Sequence, residues 1–196
     1  GMRGSLLVLL CCVVSTGPAL SQTTWQVASG PSSVNFSVQH LIFSQVEGAF
    51  KRYRGHVITK NADFSDALIE VVIPVNSIDT GHRDRDSDLL GEDFFHAAKY
   101  PEIRFKSQSF EKTGERTYKI IGALTIRGVT RTIELLARCT APRSISGGRT
   151  RVDFTAHGSI NRYDYGLRWN EIVGADNLLM GKTVEITLNI ALIKES

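Results

Sequence analysis

Apolar and polar residues alternate along most of this chain, and a period of two predicts β-strands. Val34, Phe36 and Val38 share one face against Asn35, Ser37 and Gln39. Val46, Gly48 and Phe50 repeat the pattern, and Gly55 then allows a bend into His56 to Thr59. From Leu68 to Val75 the apolar positions fall on Ile69, Val71, Ile73 and Val75, with Pro74 marking a strand end or a sheet edge. Ile103 and Phe105 begin another strand. Tyr118, Ile120, Gly122, Leu124 and Ile126 form the next, and Arg127-Gly128-Val129 turns into Thr132 to Cys139. After a Gly147-Gly148 loop, Val152, Phe154, Ala156, Gly158 and Ile160 oppose Asp153, Thr155, His157 and Ser159. The last strand runs from Val184 to Ile193.

Roughly eight strands result, with no helical stretch long enough for a βαβ crossover, so the pattern predicts an antiparallel barrel or sandwich. One segment breaks the alternation. Arg83 to Phe95 places Leu89, Leu90, Phe94 and Phe95 at roughly helical spacing, predicting one or two short helices over an end of the sheet. A further helical turn is expected at Asp176 to Met180. The row from Val152 to Ile160 is large at its ends and small at Ala156 and Gly158. Such a row leaves room for a cavity or marks a bend at a barrel corner, and the strand by itself admits both.

The bulk numbers narrow the setting. Of 196 residues, Gly1 precedes the start methionine and is set aside. Arg3, the apolar run Leu6 to Val14, the Gly17-Pro18 break and small residues at Ala19 and Ser21 read as a secretory signal cleaved after Ser21. The run is shorter than the roughly 20 residues a bilayer span needs. Residues 1–21 are therefore leader, and 22–196 one domain. Cys11 and Cys12 lie in the leader and lack the small residues a lipoprotein site needs before them. Cys139 then remains alone, without an intrachain partner, and a buried strand position is expected for it. Export without disulfides points to a Gram-negative periplasm. A formal net charge of +3 gives no reason to expect nucleic acid. The cluster Lys51, Arg52, Tyr53, Arg54 alternates faces on a strand and reads as a solvated edge.

Motifs for chemistry are sparse. His40, His56, His82, His96 and His157 form no metal-ligand pattern. Asp84, Asp86, Asp88 and Glu92 resemble the start of a calcium loop, but Leu89 stands where that loop turns on glycine and Phe95 where it needs glutamate. A short helix with acidic residues in its first turn explains them as well. No G-x-S-x-G elbow, P-loop or dinucleotide fingerprint occurs, and nothing supports a paired-carboxylate glycosidase. Arg162 and Asp164 form a turn pair of the kind that more often fixes a loop than performs catalysis.

Several segments in order resemble the YceI-like family of small periplasmic, lipocalin-like barrels: SSVNFSVQH, SQVEGAF, IDTGHRDRDSDLLGEDFF followed by YPEIRFKS, GALTIRGVTR, and SINRYDYGLRWN. The likeness covers essentially all of 22–196. It departs where the family commonly carries an Asp-Pro-x-His tetrad, for here Ala28, Ser29, Gly30 and Pro31 occupy those positions. The resemblance implies an all-β, eight-stranded antiparallel lipocalin-like barrel holding an isoprenoid lipid or isoprenoid quinone as ligand, with no cofactor, metal or catalysis. On that basis Phe36, Val38, Val71, Ile73, Phe105, Leu124, Ile126 and Phe154 are expected to line the tail, with Phe43, Phe94, Phe95 and Leu179 at the mouth. Small residues on inward rows (Gly48, Gly122, Ala156, Gly158) are expected to leave it space. His40, Arg162, Asp164, Arg168 and Asn170 are candidate head-group contacts. The expected partner is an amphiphilic lipid, and a membrane surface, a membrane complex or a second copy of the chain are further partners the reading admits. Two other functions compete: an enzyme acting on a head group at the barrel mouth, and a ligand-free stress or partner protein with a filled interior and an exposed apolar patch.

Overall fold

The computed structural model describes residues 21–40, 44–168 and 180–196. Residues 1–20 of the expected leader lie outside them, as do Phe43, Asn170, Leu179 and the expected turn at 176–179. Met180 is described, and it opens a strand.

The strands are β1 (Thr23–His40), β2 (Ser44–Phe50), β3 (Arg54–Thr59), β4 (Leu68–Pro74), β5 (Ile78–Asp79), β6 (Glu102–Lys112), β7 (Thr117–Ile126), β8 (Val129–Cys139), β9 (Arg143–Ser144), β10 (Thr150–Asn161) and β11 (Met180–Lys194). The pairing runs β11-β10-β8-β7-β6-β4-β3-β1, and β1 pairs with β11 to close the ring. The result is an eight-stranded antiparallel barrel with, among the described residues, one α-helix, α1 (Arg83–Leu89). β2 continues the β3 stave: β3 pairs with Thr23 to Gln26 of β1, and β2 with Val34 to His40.

β1 is longer than the alternation suggests because its parity changes midway. Trp25 is buried at an odd position, whereas Val34 and Val38 are buried at even ones. The register against β11 shifts between Ala28 and Ser33, so a bulge exchanges the faces. Ser32 stitches this bulge, donating from Oγ to Ala28 O (2.5 Å) and accepting from Ala191 N (2.9 Å). The segment lacking the family's tetrad is therefore the bend of the closing strand.

The basic cluster does not lie on a strand as expected. Residues 51–53 are the break between β2 and β3, opposite the bulge in β1. Tyr53 turns inward, is buried, and donates from Oη to Ser29 O (3.3 Å). Arg52 bonds Asn76, and Arg54 pairs with Glu102 at 3.2 Å. Pro74 ends β4, and Val75 begins a 3-10 turn. Cys139 sits on β8 but is half-buried, not fully buried, because it is the strand's last residue. Burial still pushes its thiol pKa up, away from thiolate chemistry.

The inward glycines do not leave empty space themselves. A Cβ on Gly48 would stand 2.3 Å from Phe36 Cζ, and one on Gly122 would stand 2.4 Å from Phe105 Cζ. On Gly158 it would meet Leu135 Cδ2 at 2.5 Å and the Glu134 carbonyl oxygen at 2.8 Å. Neighbouring side chains thus occupy the missing Cβ positions, so rings lie flat against the wall instead of projecting toward the axis. The room expected at Gly158 belongs to Leu135.

Gly158→Val is expected to destabilise the barrel by about 1–3 kcal/mol, the usual cost of overpacking against backbone that cannot retreat. Urea unfolding of the variant beside the parent checks this, and equal midpoints would contradict the close approach.

Candidate functional site

Closing an apolar-faced sheet on itself creates an interior, and eight strands make one just wide enough for side chains or one small ligand. Here the interior holds a cavity of about 420 Å³, within the usual range for small-molecule sites. Strand residues of every stave line it. Phe36 and Val38 come from β1, Val71 and Ile73 from β4, Phe105 from β6, Leu124 and Ile126 from β7, and Phe154 from β10. Phe94 and Phe95, from the turns after α1, also lie on the wall, their rings edge-to-face at 5.0 Å.

Polar lining is concentrated at one end. Thr80, Arg85 and Asp88 come from the loop before α1 and from the helix itself, and Arg162 from the end of β10. Asp86 explains much of the acidic run. It accepts from Thr80 N (2.9 Å) and Thr80 Oγ1 (2.5 Å), while Arg85 Nε donates to Thr80 Oγ1 (2.8 Å) and Arg85 Nη2 to Thr80 O (2.7 Å). Arg127, in the left-handed region at φ 50°, ties this end together. Its guanidinium donates to Gly166 O (2.9 Å) and to Glu92 O (3.0 Å).

The proposed head-group residues separate. Arg162 follows the inward row of β10, is 3 % exposed, and lines the cavity. Its Nε donates to Gly181 O (2.9 Å), Nη1 to Leu167 O (2.7 Å) and Nη2 to Met180 O (3.4 Å). No carboxylate pairs with it among the described residues, and burial lowers its pKa. Asp164 and Arg168 are exposed and off the cavity wall. After Arg162 the chain coils into a 3-10 turn (Arg162–Tyr165), capped by Asn161 Oδ1 accepting from Tyr163 N. That turn carries Tyr163 and Asp164 outward. Arg162 and Asp164 therefore do not converge as an acid–base pair. Of His40 only the backbone is described, on β1.

Several lining residues had no clear mark in the alternation. Phe110 sits at even parity after Phe105 at odd, because β6 bulges between Ser107 and Ser109. Phe64 lies in a loop, at φ 61°, where no period exists. The alternating row Val184, Ile186, Leu188, Ile190 and Leu192 of β11 does line the cavity, and its regularity was the available signal.

The family assignment follows from comparison with known proteins. A YceI-like domain model matches residues 25–192. The chain belongs to the YceI-like family. Among curated YceI-like relatives it is similar to a UPF0312 protein of Yersinia pestis, 33% identical over 134 residues, covering 68% of this chain and 69% of that one. Two solved structures share the fold. Burkholderia cenocepacia BcnA superposes with a TM-score of 0.74 at 23% identity, covering 84% of this chain and 98% of that one. A polyisoprenoid binding domain from Saccharophagus degradans gives 0.63 at 17% identity, covering 89% and 99%. The YceI-like barrel thus accounts for the ring of strands and its apolar interior.

Two substitutions probe the 3-10 corner. Arg162→Met is expected to cost about 2 kcal/mol, since carbonyls left buried without a donor cost roughly 1–3 kcal/mol each and the relieved charge offsets part of that. Denaturant unfolding reads the change, and unaltered stability would remove Arg162 from the scaffold. Tyr165 is 1 % exposed, its Oη has no partner among the described residues, and burial pushes its pKa up to about 12. The folded state keeps this proton where the unfolded state, near its ordinary value of about 10, loses it. The resulting stability is complete below pH of about 10 and is lost as pH rises toward 12. Tyr165→Phe should match or exceed the parent at neutral pH and show a shallower alkaline decline, by up to about 2 kcal/mol.

Proposed function

We propose that this protein binds, carries or sequesters a long isoprenoid lipid or isoprenoid quinone in the periplasm, without catalysis. The observation that carries the reading is the cavity itself: about 420 Å³, walled by aliphatic and aromatic side chains along its length, with charged lining at one end. An apolar tail would lie along the barrel, and a polar head would remain near Thr80, Arg85, Asp88 and Arg162. The name of the Saccharophagus degradans neighbour, a polyisoprenoid binding domain, agrees with that ligand class. The leader expected from the pattern of residues 3–21 favours that compartment.

The energetics suit such a ligand. Each methylene removed from water contributes roughly 0.8 kcal/mol, so ten supply about 8 kcal/mol before the costs of ordering and association. Wall contact alone would then hold the tail, and few polar contacts are needed. Catalysis at the head group would need convergent polar residues, and the outward turn after Arg162 leaves Asp164 away from the cavity. A ligand-free partner protein would expose a contiguous apolar patch. Leu68 and Leu136, at 48 % and 58 % exposed, lie on β4 and β8, with β6 and β7 between them.

Organic extraction of the mature protein purified from its native host, followed by mass spectrometry, should release an isoprenoid-chain lipid in amounts comparable to the protein. Repeated preparations that yield no lipid, and that fail to take up added isoprenoid, would overturn the proposal.

A further inference from the structure

The two ends of the cavity differ in kind. At the end opposite α1, Phe64, Phe110 and Phe154 face the interior and are buried. Their rings interlock, with Phe64 and Phe154 edge-to-face at 5.2 Å and Phe110 and Phe154 edge-to-face at 6.1 Å. Trp25 and Tyr118 stand behind them, off the cavity wall. Trp25 lies 5.1 Å from Phe64, and Tyr118 lies 4.8 Å from Phe110. Aromatic rings in such tilted and edge-on contacts form a stiff layer, since each has few rotatable bonds and every face is in contact.

Hydrogen bonds fix this layer to the backbone. Trp25 Nε1 donates to Thr59 Oγ1 (3.4 Å), and Tyr118 Oη donates to the Asp63 carbonyl. The loop carrying Phe64 is held by Ala67 N to Phe64 O and by Asp66 N to Phe110 O, each 3.1 Å. Phe64 and Asp66 both adopt left-handed backbone, at φ 61° and 59°. A bulky residue persists there only when its surroundings over-determine it, and such outliers direct attention to function. The strained loop presses the Phe64 ring into the barrel end as a plug.

At the α1 end, by contrast, the lining includes the exposed carboxylate side chain of Asp88. A tail that enters beside Asp88 therefore meets, among the described residues, a fixed aromatic wall at the far end. Between Ile160 near the open end and Phe154 at the wall, β10 advances about 20 Å, or about 15 Å along an axis tilted from the strands. We propose that the Phe64–Phe110–Phe154 wall is a depth stop that sets the longest isoprenoid tail the barrel accepts. This rests on the reading of the cavity as an isoprenoid site.

The test is displacement of anilinonaphthalene sulfonate from the purified protein by all-trans prenols of increasing length, from geraniol through farnesol and geranylgeraniol to longer homologues. Affinity should rise by at least about tenfold with each unit that still enters the barrel, and the gain should fall to about one-fold once the tip reaches the wall. Phe110→Leu deepens the cavity and should move that break to a longer homologue. Ala156→Leu, on the wall beside Phe154, should move it to a shorter one, and it keeps the test decisive if the first variant does not fold. Affinity that climbs without a break, or a break at the same homologue in parent and variants, overturns the depth stop while leaving isoprenoid binding intact. No displacement by any prenol overturns the binding reading, and the stop with it.

Discussion

Everything inside this barrel depends on the antiparallel seam between β1 and β11. Without it the staves would form an open sheet with one apolar face in water and two unpaired edges, a state that aggregates. The seam runs from Gln26 paired with Ile193 to His40 paired with Met180. It accommodates the curvature through two register shifts, between Ala28 and Ser33 and between Val38 and His40, and Ser32 supplies bonds at the first of them. The opposite edge of β1 meets the same constraint by splitting its neighbour into β2 and β3 around Tyr53. Closure and bending are thus one device.

How the interior stays partly empty follows from where large side chains rest. In a small barrel, inward rows normally fill the centre. Here Phe36 and Phe105 lie over Gly48 and Gly122, so their bulk is spent against the sheet. The same rings that would have blocked the axis become its lining. This arrangement gives hydrophobic stabilisation to the wall and leaves the axis open, which a uniformly packed core does not do.

Charge is handled with equal economy. Among the described residues Arg162 is buried without a carboxylate partner, and its guanidinium spans carbonyls of Leu167, Met180 and Gly181. A planar fork suits this task, because fixed donors can join two chain segments at once. Arg127 performs a comparable service from outside, linking the β7–β8 turn to Gly166 and Glu92. The polar end of the cavity is consequently a built corner, and its polarity is a by-product of holding strands together as much as a surface for a ligand.

Strand identity, the antiparallel class and the inward faces of β4, β7, β10 and β11 were legible in the amino-acid pattern, because a half-buried strand must alternate. The lining residues on those strands, such as Val71, Leu124 and Phe154, could be named for the same reason. Periodicity could not see past an irregularity. The bulges in β1 and β6 exchange faces, so Trp25 and Phe110 fall on the wrong parity, and Phe64 enters the wall from a loop with no period at all. Nor could it tell a glycine that opens space from one that receives a neighbour's side chain, as at Gly48 and Gly158. Alternation is a property of one strand and was settled by the sequence itself. Which end is sealed, where the space lies, and whether a polar turn points in or out depend on contacts between residues far apart in the chain, and only the closed barrel decided them.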